Sequence, residues 1–146
     1  MGTPTRDMNS DGAITLSLPA RAENVALVRH VLGALSEALA FPPHLTDDIR
    51  LAVTEACTNV VRHAYEGETG PIDVTILPEG DRLTIVVCDE GRGAMPSADS
   101  DGPGLGLPLM AALADDLEFA PGPERGSRLE MSFSTDQRRG GVVEIV

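Results

Sequence analysis

The sequence contains no lysine, because all 11 basic residues of this 146-residue chain are arginine. Two common nucleotide-binding devices are thereby excluded, since the P-loop motif G-x-x-x-x-G-K-[ST] and the strand lysine of ordinary protein kinases both require that residue. Any nucleoside triphosphate that this chain binds must therefore be held by other groups.

Positive charge is scarce as well. The 11 basic residues stand against 23 acidic ones, which gives a formal net charge of −12, and no basic run is longer than Arg138-Arg139. A duplex nucleic acid or an anionic membrane attracts proteins through clustered positive charge. We therefore expect neither a direct nucleic-acid partner nor a membrane partner.

Cysteine and long apolar segments are also rare. The two cysteines, Cys57 and Cys88, belong to no C-x-x-C or Cys/His cluster, so we expect reduced thiols and no structural zinc site. No apolar run approaches the roughly 20 residues that cross a bilayer, and the N-terminus has no signal-peptide core. These features predict a cytoplasmic protein with one folded domain.

Alternating and helical patterns predict an α+β domain over residues 13–135. The polar residues 1–12 predict a disordered leader, and residues 136–146 form a tail that either adds an edge strand or stays irregular. Thr46 is the predicted N-cap of a central helix, and Leu39 is the predicted end of the apolar stripe on the helix before it. Helices are predicted from residue 23 or 24 to about 39, from 46 to 65 and from 105 onward; strands are predicted at 13–18, 72–77, 82–88, 117–120 and 127–134.

A carboxylate and a carboxamide lie one turn apart in the central helix. Glu55 and Asn59 are i and i+4 and project from the same side, at the border of an apolar stripe formed by Ile49, Ala52, Val53, Ala56 and Val60. Such a pair can bind a hard cation and orient a nucleophile. The alternative is a solvated glutamate beside a surface asparagine, and this helix alone does not decide between them.

Two glycine-containing segments follow. Asp89 opens D-E-G-R-G at the end of a strand, where Gly91 and Gly93 permit close backbone approaches and the carboxylate can accept a hydrogen bond from an exocyclic amine. Farther on, G-P-G-L-G-L over residues 102–107 precedes a helix, whose N-terminal amides suit phosphate oxygens. Taken singly, each segment is better explained as an ordinary turn.

The order of these motifs is more specific than any one of them. The chain has E-A-C-T-N-V-V-R-H-A-Y, then D-E-G-R-G, then G-P-G-L-G-L, and then Gly126-Ser127 on a late strand. This succession resembles the N box, first glycine box, lid and second glycine box of the GHKL (Bergerat) ATP-binding fold, over residues 23–133. Within that superfamily the chain is most similar to the small bacterial anti-sigma factors of the RsbW and SpoIIAB type, which are also serine kinases.

The resemblance implies a two-layer α/β sandwich, with a mixed, mostly antiparallel sheet covered on one face by helices. It implies ATP and Mg²⁺ as cofactors, with Glu55 as general base and Asn59 as the magnesium ligand. It also implies that Asp89 accepts a hydrogen bond from the amino group of adenine. The other residues to which it assigns a role are Gly91 and Gly93 in the adenine pocket, Gly104, Leu105 and Gly106 around the phosphates, Ser127 beside Asp89 and Arg29 as a protein contact.

The partners that the resemblance implies are a sigma factor and an anti-anti-sigma protein with a STAS domain, which is phosphorylated on serine; it also implies a homodimer. Two alternatives remain open at this point. One is an ATP-binding anti-sigma module that transfers nothing, against which the sequence offers only the intact Glu55. The other is a detached ATPase domain of the histidine-kinase kind, which the missing acceptor-histidine helix disfavours.

Overall fold

The computed structural model describes residues 12–92, 106–122 and 125–136. The predicted leader, apart from Gly12, and the predicted tail, apart from Asp136, lie outside these ranges. Within them the chain forms β1 (Ile14–Pro19), α1 (Ala22–Ala38), α2 (Pro43–His63), β2 (Pro71–Glu79), β3 (Arg82–Asp89), α3 (Gly106–Leu113), β4 (Asp116–Pro121) and β5 (Ser127–Ser134).

The five strands form one sheet in the order β1-β2-β3-β5-β4, and all four pairings are antiparallel. Strands β2 and β3, both predicted, form a hairpin in which Glu79 pairs with Arg82 across a two-residue turn. Gly80 in that turn has φ +58°, a conformation that costs a residue with a Cβ. The hairpin register places Asp89, at the end of β3, opposite Ile72 near the start of β2.

The helices cover one face of the sheet and enclose a single apolar core. Alternation along the strands sends every second side chain to this core, and the apolar stripe of α2 meets them. The sheet contributes Ile72, Val74, Ile76, Leu83, Ile85, Val87, Leu129, Met131 and Phe133, and α2 contributes Ile49, Ala52, Val53, Ala56, Cys57 and Val60. The two-layer α+β sandwich is therefore confirmed. None of the helices in the described ranges is long and apolar enough to cross a bilayer.

Two local predictions were wrong. Helix α2 begins at Pro43, three residues before Thr46, so Thr46 lies inside the first turns and its hydroxyl donates to the carbonyl of Pro42 at 3.4 Å. Proline at the first helical position supplies the required φ and has no N–H to leave unpaired, which explains the earlier start. Leu39 follows the last residue of α1 and is 43% exposed, because the chain turns away from the core at Ala40, which has φ +58°.

The third helix is shorter than the pattern predicted. It ends at Leu113, and Asp116 already opens β4. Pro108 lies in its first turn, where a missing amide hydrogen breaks no helical bond.

Candidate functional site

Asp89 is a buried carboxylate held on both of its oxygens. The register of β3 with β5 places Ser127 directly opposite Asp89, and the two side chains are 6% and 5% exposed. The Ser127 hydroxyl donates to Asp89 Oδ2 at 2.6 Å, and the Gly91 N–H donates to Oδ1 at 2.9 Å. Hydrogen bonds to a charged acceptor are the strong ones, so these two donors fix the orientation of the carboxylate.

Gly91 occupies a position where no side chain fits. A Cβ on Gly91 would lie 2.0 Å from the carbonyl oxygen of Ala64, just after α2. The loop after β3 therefore rests directly on the end of α2. Gly126 is similarly constrained, because its φ is +85° and an added Cβ would lie 2.0 Å from the carbonyl oxygen of Asp89. Glycines on both sides of Asp89 thus allow three backbone segments to converge on it.

Glu55 and Asn59 converge on the first residue of α3. A Cβ on Gly106 would lie 3.3 Å from Asn59 Nδ2, 3.6 Å from Asn59 Oδ1 and 3.7 Å from Glu55 Oε1. Both polar side chains are half-buried, as expected at the border of the α2 stripe. The predicted pair therefore lies against the N-terminus of a helix, where amide groups and the helix dipole favour negative charge.

A cleft joins these two groups of residues. It is narrow, with a cavity volume of about 10 Å³, which is roughly the space that one water molecule needs. Asn59 and Ser127 supply its polar lining. The apolar lining comes from Ala56, Val60, Val87, Leu107, Met110, Phe119 and Leu129. Since Ser127 bonds directly to Asp89, Asn59 and the Asp89 carboxylate lie on the same side of the molecule.

These side chains are of the chemical types that an adenine nucleotide contacts. The described lining is mostly apolar, which suits a purine ring, and the Asp89 carboxylate keeps acceptor capacity beyond its two hydrogen bonds. Asn59 offers an amide oxygen, a ligand type that Mg²⁺ accepts. The described ranges contain no cluster of three or more His, Cys, Asp or Glu side chains suited to a metal ion.

The remaining predicted site residues are distributed as follows. Gly93, Gly104 and Leu105 lie outside the described residues, so their predicted roles stay predictions. Arg29 lies on α1 and is exposed, and its role as a protein contact also stays a prediction.

Sequence analysis assigned no role to Tyr65 or Arg92, which contact the loop after β3. The Tyr65 hydroxyl accepts a hydrogen bond from the Glu90 N–H at 2.8 Å, and Arg92 N–H donates to the Ala64 carbonyl at 2.9 Å. Burial raises the pKa of Tyr65 above its usual value of 10, so the phenol stays protonated near neutral pH. Tyr65 does lie at the end of the quoted H-A-Y segment, which is the one signal that pointed to it.

Residues 18–133 match the family described as the histidine kinase-like ATPase domain. Among curated relatives, the serine-protein kinase RsbW of Bacillus cereus (strain Q1) is 33% identical, over 73% of this chain and 76% of the relative. RsbW of Bacillus mycoides (strain KBAB4) is 32% identical over the same shares.

A solved structure shows the same fold. It contains the RsbU and RsbW domains of a Mycobacterium tuberculosis protein and superposes with a TM-score of 0.67 at 22% identity, covering 84% of this chain and 32% of that chain. The present chain thus spans about a third of that solved chain. The match over residues 18–133, the identity with the two curated relatives and the shared fold agree, and the chain belongs to the histidine kinase-like ATPase domain family.

Proposed function

We propose that this protein is a serine kinase and anti-sigma factor that uses Mg-ATP to phosphorylate a STAS-type anti-anti-sigma protein, and that it also sequesters a sigma factor. We assign the activity to residues 13–135. The observation that carries the proposal is a narrow cleft lined by Ser127, which is hydrogen-bonded to Asp89, at one end and by Asn59, which lies near Glu55, at the other. The RsbW names of the relatives at 32–33% identity support the same assignment.

At the base-binding end, we assign Asp89 to accept a hydrogen bond from the exocyclic amine of adenine. Ser127 and the Gly91 N–H hold the carboxylate in place for that contact. Gly91 also allows the loop after β3 to lie directly against the end of α2. Gly93, on the same loop, is assigned to the adenine pocket on sequence grounds.

At the transfer end, ATP supplies the phosphoryl group and Mg²⁺ neutralises charge between the phosphates when both are bound. Asn59 would hold the magnesium through its amide oxygen, while Glu55 accepts the proton of the acceptor serine hydroxyl. Gly106, Gly104 and Leu105 are assigned to the phosphates, and the half-buried setting of Glu55 limits water around the proton transfer. Positioning and charge neutralisation provide most of the rate in such reactions.

Phosphorylation adds roughly −1.5 to −2 charges to the acceptor protein. Because this chain carries a formal charge of −12, the modified acceptor is repelled more strongly than the unmodified one. The kinase surface then becomes available to the sigma factor, so one protein serves two mutually exclusive partners. We assign Arg29, exposed on α1, to this shared surface, and we propose that the protein acts as a homodimer in the cytoplasm.

The proposal is tested by incubating the full chain with γ-labelled ATP, magnesium and candidate STAS proteins of the source cell. We expect label on a serine of one of them. Label that remains on ATP or appears only as free phosphate would contradict the kinase assignment.

The variant Glu55→Gln separates a kinase from a binding module. The carboxamide keeps the shape of the side chain and cannot take up the proton, so we expect nucleotide binding within about twofold of the parent and phosphoryl transfer reduced by ~10²–10⁴-fold. Transfer at the parental rate would remove Glu55 from the role of base.

A further inference from the structure

The hydroxyl of Tyr65 joins two backbone segments that are distant in the sequence. It accepts a hydrogen bond from the Glu90 N–H at 2.8 Å and donates one to the Pro71 carbonyl. Glu90 immediately follows Asp89, Pro71 begins β2, and Tyr65 itself follows the end of α2. One side chain therefore ties the end of the central helix to the loop after β3 and to the start of β2.

Two glycines flank the ring of Tyr65. A Cβ added at Gly70 would lie 2.1 Å from Tyr65 Cε1, and one added at Gly91 would lie 3.0 Å from Tyr65 Cδ1. Both segments that flank the ring thus have glycine at the point of contact. A side chain in place of either glycine would have to displace the ring, and the two hydrogen bonds of the hydroxyl define its position.

A second set of contacts holds the same loop. Arg92 N–H donates to the Ala64 carbonyl at 2.9 Å, and Arg92 Nε donates to the His63 carbonyl at 2.9 Å. The ion pair of Arg92 with Glu66, 3.1 Å apart, is exposed on both sides and adds little. Glu90 and Arg92 are therefore both fastened to the end of α2, and Gly91 between them donates its N–H to Asp89 Oδ1.

We propose that Tyr65 is a positioning residue for recognition of the nucleotide base. By holding Glu90, its hydroxyl sets the direction of the Gly91 N–H, and that N–H in turn orients the Asp89 carboxylate. The inference rests on the proposed function for the identity of the base. It extends that function by giving the end of α2 a second task, since Glu55 and Asn59 on the same helix serve the transfer end.

The test compares Tyr65→Phe with the parent and with the control Thr75→Val, which removes a hydroxyl that faces Thr15 in an exposed 3.4 Å contact on β1 and β2. Affinity is measured by calorimetry with a non-hydrolysable Mg-ATP analogue. We expect about three- to tenfold weaker binding for Tyr65→Phe, the range expected for one lost hydrogen bond, and parental affinity for the control. In the transfer assay, we expect KM for ATP to rise by the same factor while kcat stays within about twofold.

Amide exchange in the nucleotide-free protein provides a measurement that does not depend on ATP. The Glu90 N–H loses its acceptor in Tyr65→Phe, so its exchange should become faster, whereas the control should leave it unchanged. Parental analogue affinity in Tyr65→Phe would overturn the proposal, and so would a fall in kcat at unchanged KM. A parent that binds no ATP would instead defeat the proposed function, while the exchange rate would still report whether Tyr65 holds the loop.

Discussion

Replacing Ser127 by alanine should both destabilise the protein and weaken nucleotide binding. The Ser127 hydroxyl donates to Asp89 Oδ2 at 2.6 Å, and both side chains are at most 6% exposed. Without this donor, water has little access to the carboxylate oxygen. Hydrogen bonds to charged groups contribute about 1.5–3 kcal/mol to the free energy of unfolding, and the whole contribution is lost when the acceptor stays buried without a partner.

The expected size of the effect follows from the length of the chain. Domains of about 150 residues lose roughly 2–4 °C of melting temperature per kcal/mol, so Ser127→Ala should unfold about 3–12 °C below the parent. A matched control is Ser134→Ala, at the other end of β5, whose hydroxyl accepts a hydrogen bond from the neutral Asp136 N–H at 3.3 Å. We expect that control to shift the melting temperature by less than about 3 °C.

The assay is thermal unfolding with and without Mg-ATP. Ser127→Ala should show the lower melting temperature without nucleotide and a smaller upward shift with it, because stabilisation follows occupancy of the site. Ser127→Thr keeps the hydroxyl and should recover most of both effects. The reasoning is refuted if Ser127→Ala melts within 1 °C of the parent and shows the full nucleotide shift.

Three further predictions concern Asp89, Gly91 and the core residue Cys57. Asp89→Asn should abolish the thermal shift given by Mg-ATP, because the carboxamide presents a donor where adenine needs an acceptor; a parental shift would contradict base recognition by Asp89. Gly91→Ala should lower the melting temperature and the ATP affinity together, since its Cβ would lie 2.0 Å from the Ala64 carbonyl oxygen; an unchanged melting temperature would show that the loop moves freely. Burial raises the pKa of Cys57 from 9.0 to about 12, so the stability that comes from burying the neutral thiol is complete below pH 9 and is lost as pH rises toward 12. The free energy of unfolding measured in urea should therefore fall more steeply with pH in the parent than in Cys57→Ala. Equal slopes would contradict the raised pKa of Cys57.

Those parts of the fold that depend on local periodicity could be predicted from the sequence. The hairpin of β2 and β3 follows from two alternating runs around a Gly-Asp turn, and its register then fixes Asp89 at the strand end. The placement of Glu55 and Asn59 follows from 3.6-residue periodicity alone. Both features depend only on residues that are close in the sequence, which is why periodicity predicted the positions of these motif residues.

Contacts between distant segments could not be predicted in this way. Tyr65 is 25 residues from Glu90 and its ring is enclosed by Gly70 and Gly91, yet nothing in the local pattern around it requires either contact. The error at Thr46 has a different cause, because two helix-start signals compete there and the proline at the first helical position prevails. The sequence alone does not show which of two possible helix starts is used, because helix ends vary by a few residues with their surroundings.

The composition of the chain also determines how a triphosphate can be held. The described lining of the cleft contains no arginine, the chain contains no lysine, and its formal charge is −12. Under the proposed function, neutralisation of the phosphates would therefore depend on backbone amides, the dipole of α3 and the cation that Asn59 would bind. Because a divalent ion is the largest positive charge available to that end of the cleft, we expect affinity for ATP to depend strongly on Mg²⁺. Under the proposed function, the base-binding end, held by Asp89 and Ser127, would determine which nucleotide is bound, and the transfer end would determine whether it reacts.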